Sequence, residues 1–241
     1  MIPLVLAPEP PSFKAKVREP GENALAAIAG APLPHKRDGR PISATKKVAG
    51  IRTKKTVEDF PYWQHCLDDL HAAYKGICAY YCFFVEKACL PHVEHFIAKR
   101  DTGARLAYEW DNYHLACGQA NACKRTYPDI IDPSAVEDGW FRLDLLTLDV
   151  SPAPSLPPDK NAAVESTIIR LKLREGTALE VRQRAMAHFR NGDVTLNFFE
   201  NDHPFLAREL VRQGVQTRTQ LPGLPPAIVN ANEREETGHA P

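Results

Sequence analysis

Proline placement limits this chain more than any other feature. Proline fixes φ and lacks an N–H, so helix interiors and central strands exclude it. The 21 prolines of the 241-residue chain cluster in the first 34 positions, at 152–158 and in the tail. These clusters read as extended connections. Residues 1–20 are therefore expected to lie extended on the surface. A short helical run then opens at Gly21-Glu22-Asn23 and stops at Gly30, a glycine placed to close a helix.

The middle of the chain carries the periodic signals. Pro61 can open a helix running to about Tyr74, in which Trp63, Cys66, Leu67, Leu70 and Tyr74 recur at three- and four-residue steps and make one buried stripe. Residues 77–85 are β-prone and aromatic, 92–97 reads as a second short strand, and 113–124 as a short helix with Leu115 and Ala116 inward. Phe141, Leu143 and Leu145 alternate with polar residues as in a half-buried strand. Two helical stripes follow, Val164–Leu171 and Ala178–Phe189, separated by Gly176. A weaker helix spans about 205–213.

Composition narrows the class. With 44% hydrophobic and 25% charged residues the chain is globular, and a formal net charge of zero gives no global basic field. A local one exists: residues 35–55 hold eight Lys and Arg against the single acid Asp38. This segment reads as a solvated loop, or as an arm contacting phosphates through Lys46, Lys47, Arg52, Lys54 and Lys55. The six cysteines fall within 58 residues, and without a secretory signal a disulfide framework is not expected, so the expected compartment is the cytoplasm. The longest apolar run, Ile77 to Val85, is too short to span a bilayer, and no membrane partner is expected. No glycine-rich phosphate loop is present for nucleotide hydrolysis. A nucleophilic set of Cys89, His92 and Asp101 has nothing to fix its geometry.

One constellation points to chemistry. Hydrolysis of a phosphodiester needs a neutral imidazole to accept a proton and a cation to stabilise phosphate charge. Glu94 and His95 stand side by side in a β-prone run, followed by Asn112 and then Asn121. An isolated Glu-His pair carries little information; the spaced array carries more.

The text around that array is Ile77-Cys-Ala-Tyr-Tyr-Cys82, Val93-Glu-His-Phe-Ile-Ala-Lys99, Tyr108-Glu-Trp-Asp-Asn-Tyr-His-Leu-Ala-Cys117 and Asn121-Ala-Cys-Lys124. It resembles the HNH endonucleases, the ββα-metal nucleases. The likeness is nearest to the PtuB-like subunits of Septu-type and retron-associated antiphage systems. Asp132-Pro133, Asp138-Gly139-Trp140, Phe13 to Gly21 and the Ile168–Leu173 helix extend it over most of residues 1–190.

The resemblance implies an α+β fold, a ββα-metal (HNH) nuclease core embedded in a mostly helical domain. Residues 1–60 would form a proline-rich extended segment carrying the basic loop 35–55, residues 61–217 the nuclease domain with its C-terminal helices, and residues 218–241 a flexible tail. It implies that His95 is the general base, that Glu94 and Asn121 bind one Mg²⁺ or similar ion, that Asn112 holds the loop orienting His95, and that Lys124 contacts phosphate. The implied activity is metal-dependent cleavage of nucleic acid, with DNA favoured and RNA or tRNA as alternatives. An ABC-type ATPase would be the partner, and a retron reverse transcriptase with its RNA–DNA hybrid a further member of the assembly.

Many relatives hold a structural zinc with two C-x-x-C pairs. Here positions 81 and 120 are Tyr81 and Ala120. Zn²⁺ could draw only on Cys78, Cys82, Cys117 and Cys123 at unusual spacings, so packing of Tyr80, Tyr81, Phe83 and Phe84 is expected in its place. The alternative function is a catalytically inactive ββα scaffold or nucleic-acid-binding subunit. Against it, the motif keeps Glu94, His95, Asn112 and Asn121 while the cysteines depart from the pattern.

Overall fold

The computed structural model describes residues 1–222 apart from 32–34, 37 and 100; the tail from 223, and Arg37 of the basic segment, lie outside the described residues. It is a mixed α+β chain: seven α-helices and three separate two-stranded antiparallel sheets among the described residues. No helix there is long and apolar enough to cross a membrane.

The amino-terminal part departs from the extended reading. Residues Lys14–Arg18 form a π-helical turn that runs directly into helix α1, Glu19–Ala29, closed by Gly30 at φ 90°. Pro20 has no N–H to give the preceding turn, and the wider π turn sits where the α ladder would lose that bond. Helix formation begins early because Phe13 and Val17 have a core to enter. Phe13 packs edge-on to Trp110 and Tyr113, with ring centroids 5.5 and 5.7 Å apart.

The basic segment is a hairpin rather than a loop. Strands β1 (Thr45–Val48) and β2 (Ile51–Lys54) pair through Ala49 and Gly50, both with positive φ. That is the turn geometry that matches strand twist, and an Xaa-Gly pair between β-branched residues was its sequence signal. Helix α2, Leu67–Ala73, follows a 3₁₀ turn over Tyr62–Cys66, and the predicted stripe Trp63, Cys66, Leu70 and Tyr74 is buried.

Residues 77–85 form a tight hairpin-like loop closed by a single bridge, Ile77 to Phe84, with Cys82 at φ 55°. Then come strand β3, His92–His95, and strand β4, Tyr113–Ala116, in antiparallel register, followed by helix α3, Gly118–Lys124. The helix predicted from residue 113 therefore starts five residues later. Residues 113–116 pair with β3 instead, and the Cys117 thiol caps α3 by accepting from the Ala120 N–H at 3.4 Å.

Strands β5 (Phe141–Leu143) and β6 (Val150–Pro152) make the third sheet, β6 lying in what read as a connection. Helices α4 (Pro158–Arg170), α5 (Gly176–Asn191) and α7 (Pro204–Arg212) match the predicted stripes; α6 (Leu196–Asp202) was not anticipated. Residues 218–220 make a 3₁₀ turn held by Arg218 on the Asn191 carbonyl at 2.9 Å, so this part of the expected tail is packed.

Two apolar clusters meet at the β3–β4 hairpin. One holds Phe13, Val17, Trp63, Leu70, Tyr108, Trp110, Tyr113 and Leu115; the other holds Tyr80, Tyr81, Ala116, Cys117, Ala120 and the helices α4 to α7. Strand β4 is buried along its whole length, one face toward each cluster, because successive strand residues point opposite ways. Phe13→Ala would remove the side chain that ties α1 to this junction. It is expected to cost about 3–5 kcal/mol, read as a lower urea midpoint at unchanged m-value.

Candidate nuclease site

The hairpin sorts the motif residues by face. In the register, His95 lies opposite Tyr113 and Glu94 opposite His114. Alternation therefore sends His95 to the aromatic cluster and Glu94 to the other side.

His95 is 6% exposed, with Trp63 and Tyr113 edge-on at 4.9 Å each. Its Nε2 lies 3.0 Å from the Ala107 carbonyl, which only accepts, so Nε2 carries the proton and Nδ1 is the free lone pair. Burial lowers the ring's pKa from 6.5 to about 3, the Lys99 and Lys124 charges adding to the effect and the Ala107 carbonyl opposing it. The ring is therefore neutral at physiological pH, the form a proton acceptor needs.

Asn112 bridges the connection between the two strands. Its Oδ1 accepts from the Ile97 N–H at 2.7 Å, and its Nδ2 donates to the carbonyls of Ile97 and Leu106 at 3.1 and 3.0 Å. Both ends of the β3–β4 connection are thereby clamped, and the stretch that supplies the Ala107 carbonyl is held beside His95.

On the opposite face the polar groups are deeply buried. Glu94 is 2% exposed, and both its oxygens are engaged: Oε2 accepts from the Tyr80 hydroxyl at 2.5 Å and Oε1 pairs with Lys124 Nζ at 2.7 Å. Lys124, 1% exposed, also donates to the carbonyls of His95, at 2.8 Å, and Phe96. Its three N–H donors are thus used, which corrects the expectation that it meets phosphate. Asn121 is partly exposed and donates to His92 Nδ1 at 3.3 Å, so its hydrogen bond goes to His92 rather than to Glu94.

The sequence pattern underrated His114. It is fully buried, with Nε2 3.1 Å from the Asp132 carboxylate and Nδ1 without a partner. Burial alone would raise the Asp132 pKa, but His114 and the Ser134 N–H and hydroxyl together bring it below its ordinary value. The signal was positional: His114 stands directly across the sheet from Glu94.

A divalent ion such as Mg²⁺ needs several oxygen ligands and keeps some of its own waters. Each Glu94 oxygen already holds a donor, the carboxylate has little access to water, and the Asn121 amide N–H is bonded to His92. As arranged, this donor set does not fit such an ion. Nor do the cysteines converge on Zn²⁺. Cys78 accepts from the N–H groups of Tyr81 and Cys117 at 3.5 and 3.4 Å, and a hydrogen bond from Cys78 holds the Cys117 thiol below its usual pKa. Cys82 instead lies against the amino-terminal residues, and Cys123 meets the Tyr81 hydroxyl at 3.8 Å. Tyr81 anchors to the Leu171 carbonyl at 3.0 Å. Among the described residues no three His, Cys, Asp or Glu side chains form a metal-holding group.

The basic hairpin gathers cations on one face. Lys47, Arg52 and Lys54 share one face, with Lys47 directly opposite Arg52. Like charges across a strand pair repel, so an anion bound there would relieve the pair. The other two candidates face inward: Lys46 pairs with Asp59 at 2.6 Å and Lys55 stands over the Phe60 ring. Phe60 stacks on Tyr62, and Trp63, which covers His95, carries Lys99 over its ring at 4.4 Å. A cavity of about 650 Å³, lined by Phe83, Phe84, Phe199 and Cys117, holds none of the motif residues besides that cysteine. A second cavity, of about 770 Å³, borders the basic segment through His35, Lys36 and Asp38 and is also lined by Tyr62 and His65.

Compared with protein-family models and with curated proteins, the chain matches none.

Two measurements probe this geometry. Asn112→Ala leaves the Ile97 N–H and two carbonyls without partners and should cost about 2–3 kcal/mol by chemical denaturation. The depressed His95 pKa gives a pH dependence: the unfolded ring takes a proton below about pH 6.5, whereas the folded ring stays neutral down to about pH 3. Stability should therefore fall as pH is lowered through that window. His95→Gln should flatten the fall, leaving the parts due to other groups with lowered pKa values, among them His203, which burial lowers to about 4, and Asp132.

Proposed function

We propose that this chain is an HNH-type endonuclease that hydrolyses phosphodiester bonds of nucleic acid, with His95 as the general base. The observation that carries this reading is the neutral His95 imidazole. Its Nε2–H is committed to the Ala107 carbonyl, Nδ1 is left as the acceptor, and Asn112 clamps the connection that presents it. In this reading Nδ1 accepts the proton of the attacking water. An anionic phosphate beside the ring favours the imidazolium and so raises the depressed basicity of His95 as substrate arrives.

Binding in this proposal comes from Lys47, Arg52 and Lys54, which are exposed on one face of the hairpin. These are contacts to backbone, and they select no base sequence. DNA is the first substrate to assay, with tRNA as the RNA comparison. The resemblance to PtuB-like subunits extends the proposal to an ABC-type ATPase partner.

One observation favours the inactive nucleic-acid-binding scaffold as the second reading. Glu94 is saturated by Tyr80 and Lys124, and His95 lies under Trp63. The two readings separate on one variant. His95→Ala should abolish cleavage of plasmid DNA or tRNA by the purified complex while leaving the circular dichroism spectrum and nucleic-acid affinity unchanged. Cleavage that survives the substitution would refute the nuclease assignment, and a wild-type complex that binds but never cleaves would favour the scaffold. Replacing Lys47, Arg52 and Lys54 by Gln should lower the slope of log K against log salt by up to about 2–3, for unrelated sequences alike.

A further inference from the structure

The buried cation of this site is a side chain. Lys124 Nζ sits among three oxygens: Glu94 Oε1 at 2.7 Å, the His95 carbonyl at 2.8 Å and the Phe96 carbonyl. A carboxylate and two backbone carbonyls are the ligand chemistry of a hard-cation site. Here they surround an ammonium whose three N–H donors match them one for one. The Phe96 ring, centred 5.1 Å from Nζ, closes another side.

We infer that Lys124 is the resident cation of an oxygen cradle and competes with any divalent metal for Glu94. Three observations argue this together. Each carboxylate oxygen already holds a donor, Oε2 the Tyr80 hydroxyl at 2.5 Å and Oε1 Lys124 Nζ at 2.7 Å, so an incoming ion must share or displace one of them. The Glu94–Lys124 pair is already neutral, so a dication added beside it would be buried without a counter-charge. Lys124 also holds the carbonyls of His95 and Phe96, so the backbone oxygens of the cradle are occupied as well as the carboxylate. A metal therefore enters only if Lys124 leaves, and vacating the cradle creates an anionic oxygen site where none was open.

The inference draws on the nuclease reading for the expectation of a divalent ion. Its test reads binding and not cleavage, so the two can fail separately. Mn²⁺ would be titrated into the full chain and the free ion followed by electron paramagnetic resonance. Wild type and Glu94→Gln should bind Mn²⁺ alike, with no site that depends on Glu94. Lys124→Met, which keeps the length and apolar stem but removes the charge, should bind one Mn²⁺ at least 10-fold more tightly than wild type. Lys124→Met with Glu94→Gln should lose that gain. If Lys124→Met folds only when Mn²⁺ is added, recovery of its circular dichroism counts as the same gain. If it folds in neither condition, the wild-type and Glu94→Gln titrations decide alone. A wild-type chain that binds one Mn²⁺ and loses it in Glu94→Gln would overturn the inference, as would a folded Lys124→Met with no gain.

Discussion

The ion pair between Lys124 and Glu94 fastens α3 to β3 at the centre of the molecule. Neither side chain is more than 3% exposed, so each charge depends on the other and on the groups around them. Taking charges out of water costs several kcal/mol per ion, and only good geometry with further hydrogen bonds offsets that. Here the Tyr80 hydroxyl and the carbonyls of His95 and Phe96 complete the set. Removing one partner would strand the other, typically at about 3–5 kcal/mol. The pair also fixes the end of β3, because Lys124 grips the backbone of the residues that present the candidate base.

A hairpin wedged between two apolar clusters explains why that ion pair exists. Strand β4 is buried on both faces, so any polar residue on the inner face of β3 or β4 must find partners inside. Glu94 finds Tyr80 and Lys124, and His114 finds Asp132. On the outer face His95 is enclosed by Trp63 and Tyr113, and its hydrogen bond to Ala107 selects the tautomer. The same burial that makes the imidazole neutral also weakens it as a base. Catalysis at this residue would draw on the charge of the substrate.

The two cysteines that remain of a C-x-x-C pattern keep the local form of a metal knuckle without its ligand number. Cys78 and Cys117 accept the N–H groups of the residues three further on, Tyr81 and Ala120. Tyr81 then spans to the Leu171 carbonyl, so a side-chain bridge joins α4 to this loop. Tyr80 has a different task from the packing expected of it, since its hydroxyl serves Glu94.

The sequence by itself determined the elements whose signal is local. Periodicity placed α2, α4, α5 and α7, and Gly30 ended α1 as expected. The spacing of His95 and Asn112 marked two residues whose roles in the loop are carried by short-range hydrogen bonds. It also contained the Ala49-Gly50 turn, though charge density made the segment read as a loop. Tertiary structure alone decided the rest. Residues 113–116 became a strand because β3 was there to pair with, and Phe13 began a helix early because a core was there to fill. Lys124 turned inward because Glu94 and two carbonyls converge where α3 crosses β3. A charge pattern along the chain records which residues can ionise. Only the packed fold decides which of them are removed from water, and a buried carboxylate with a lysine on one oxygen and a tyrosine on the other is different chemistry from an exposed one.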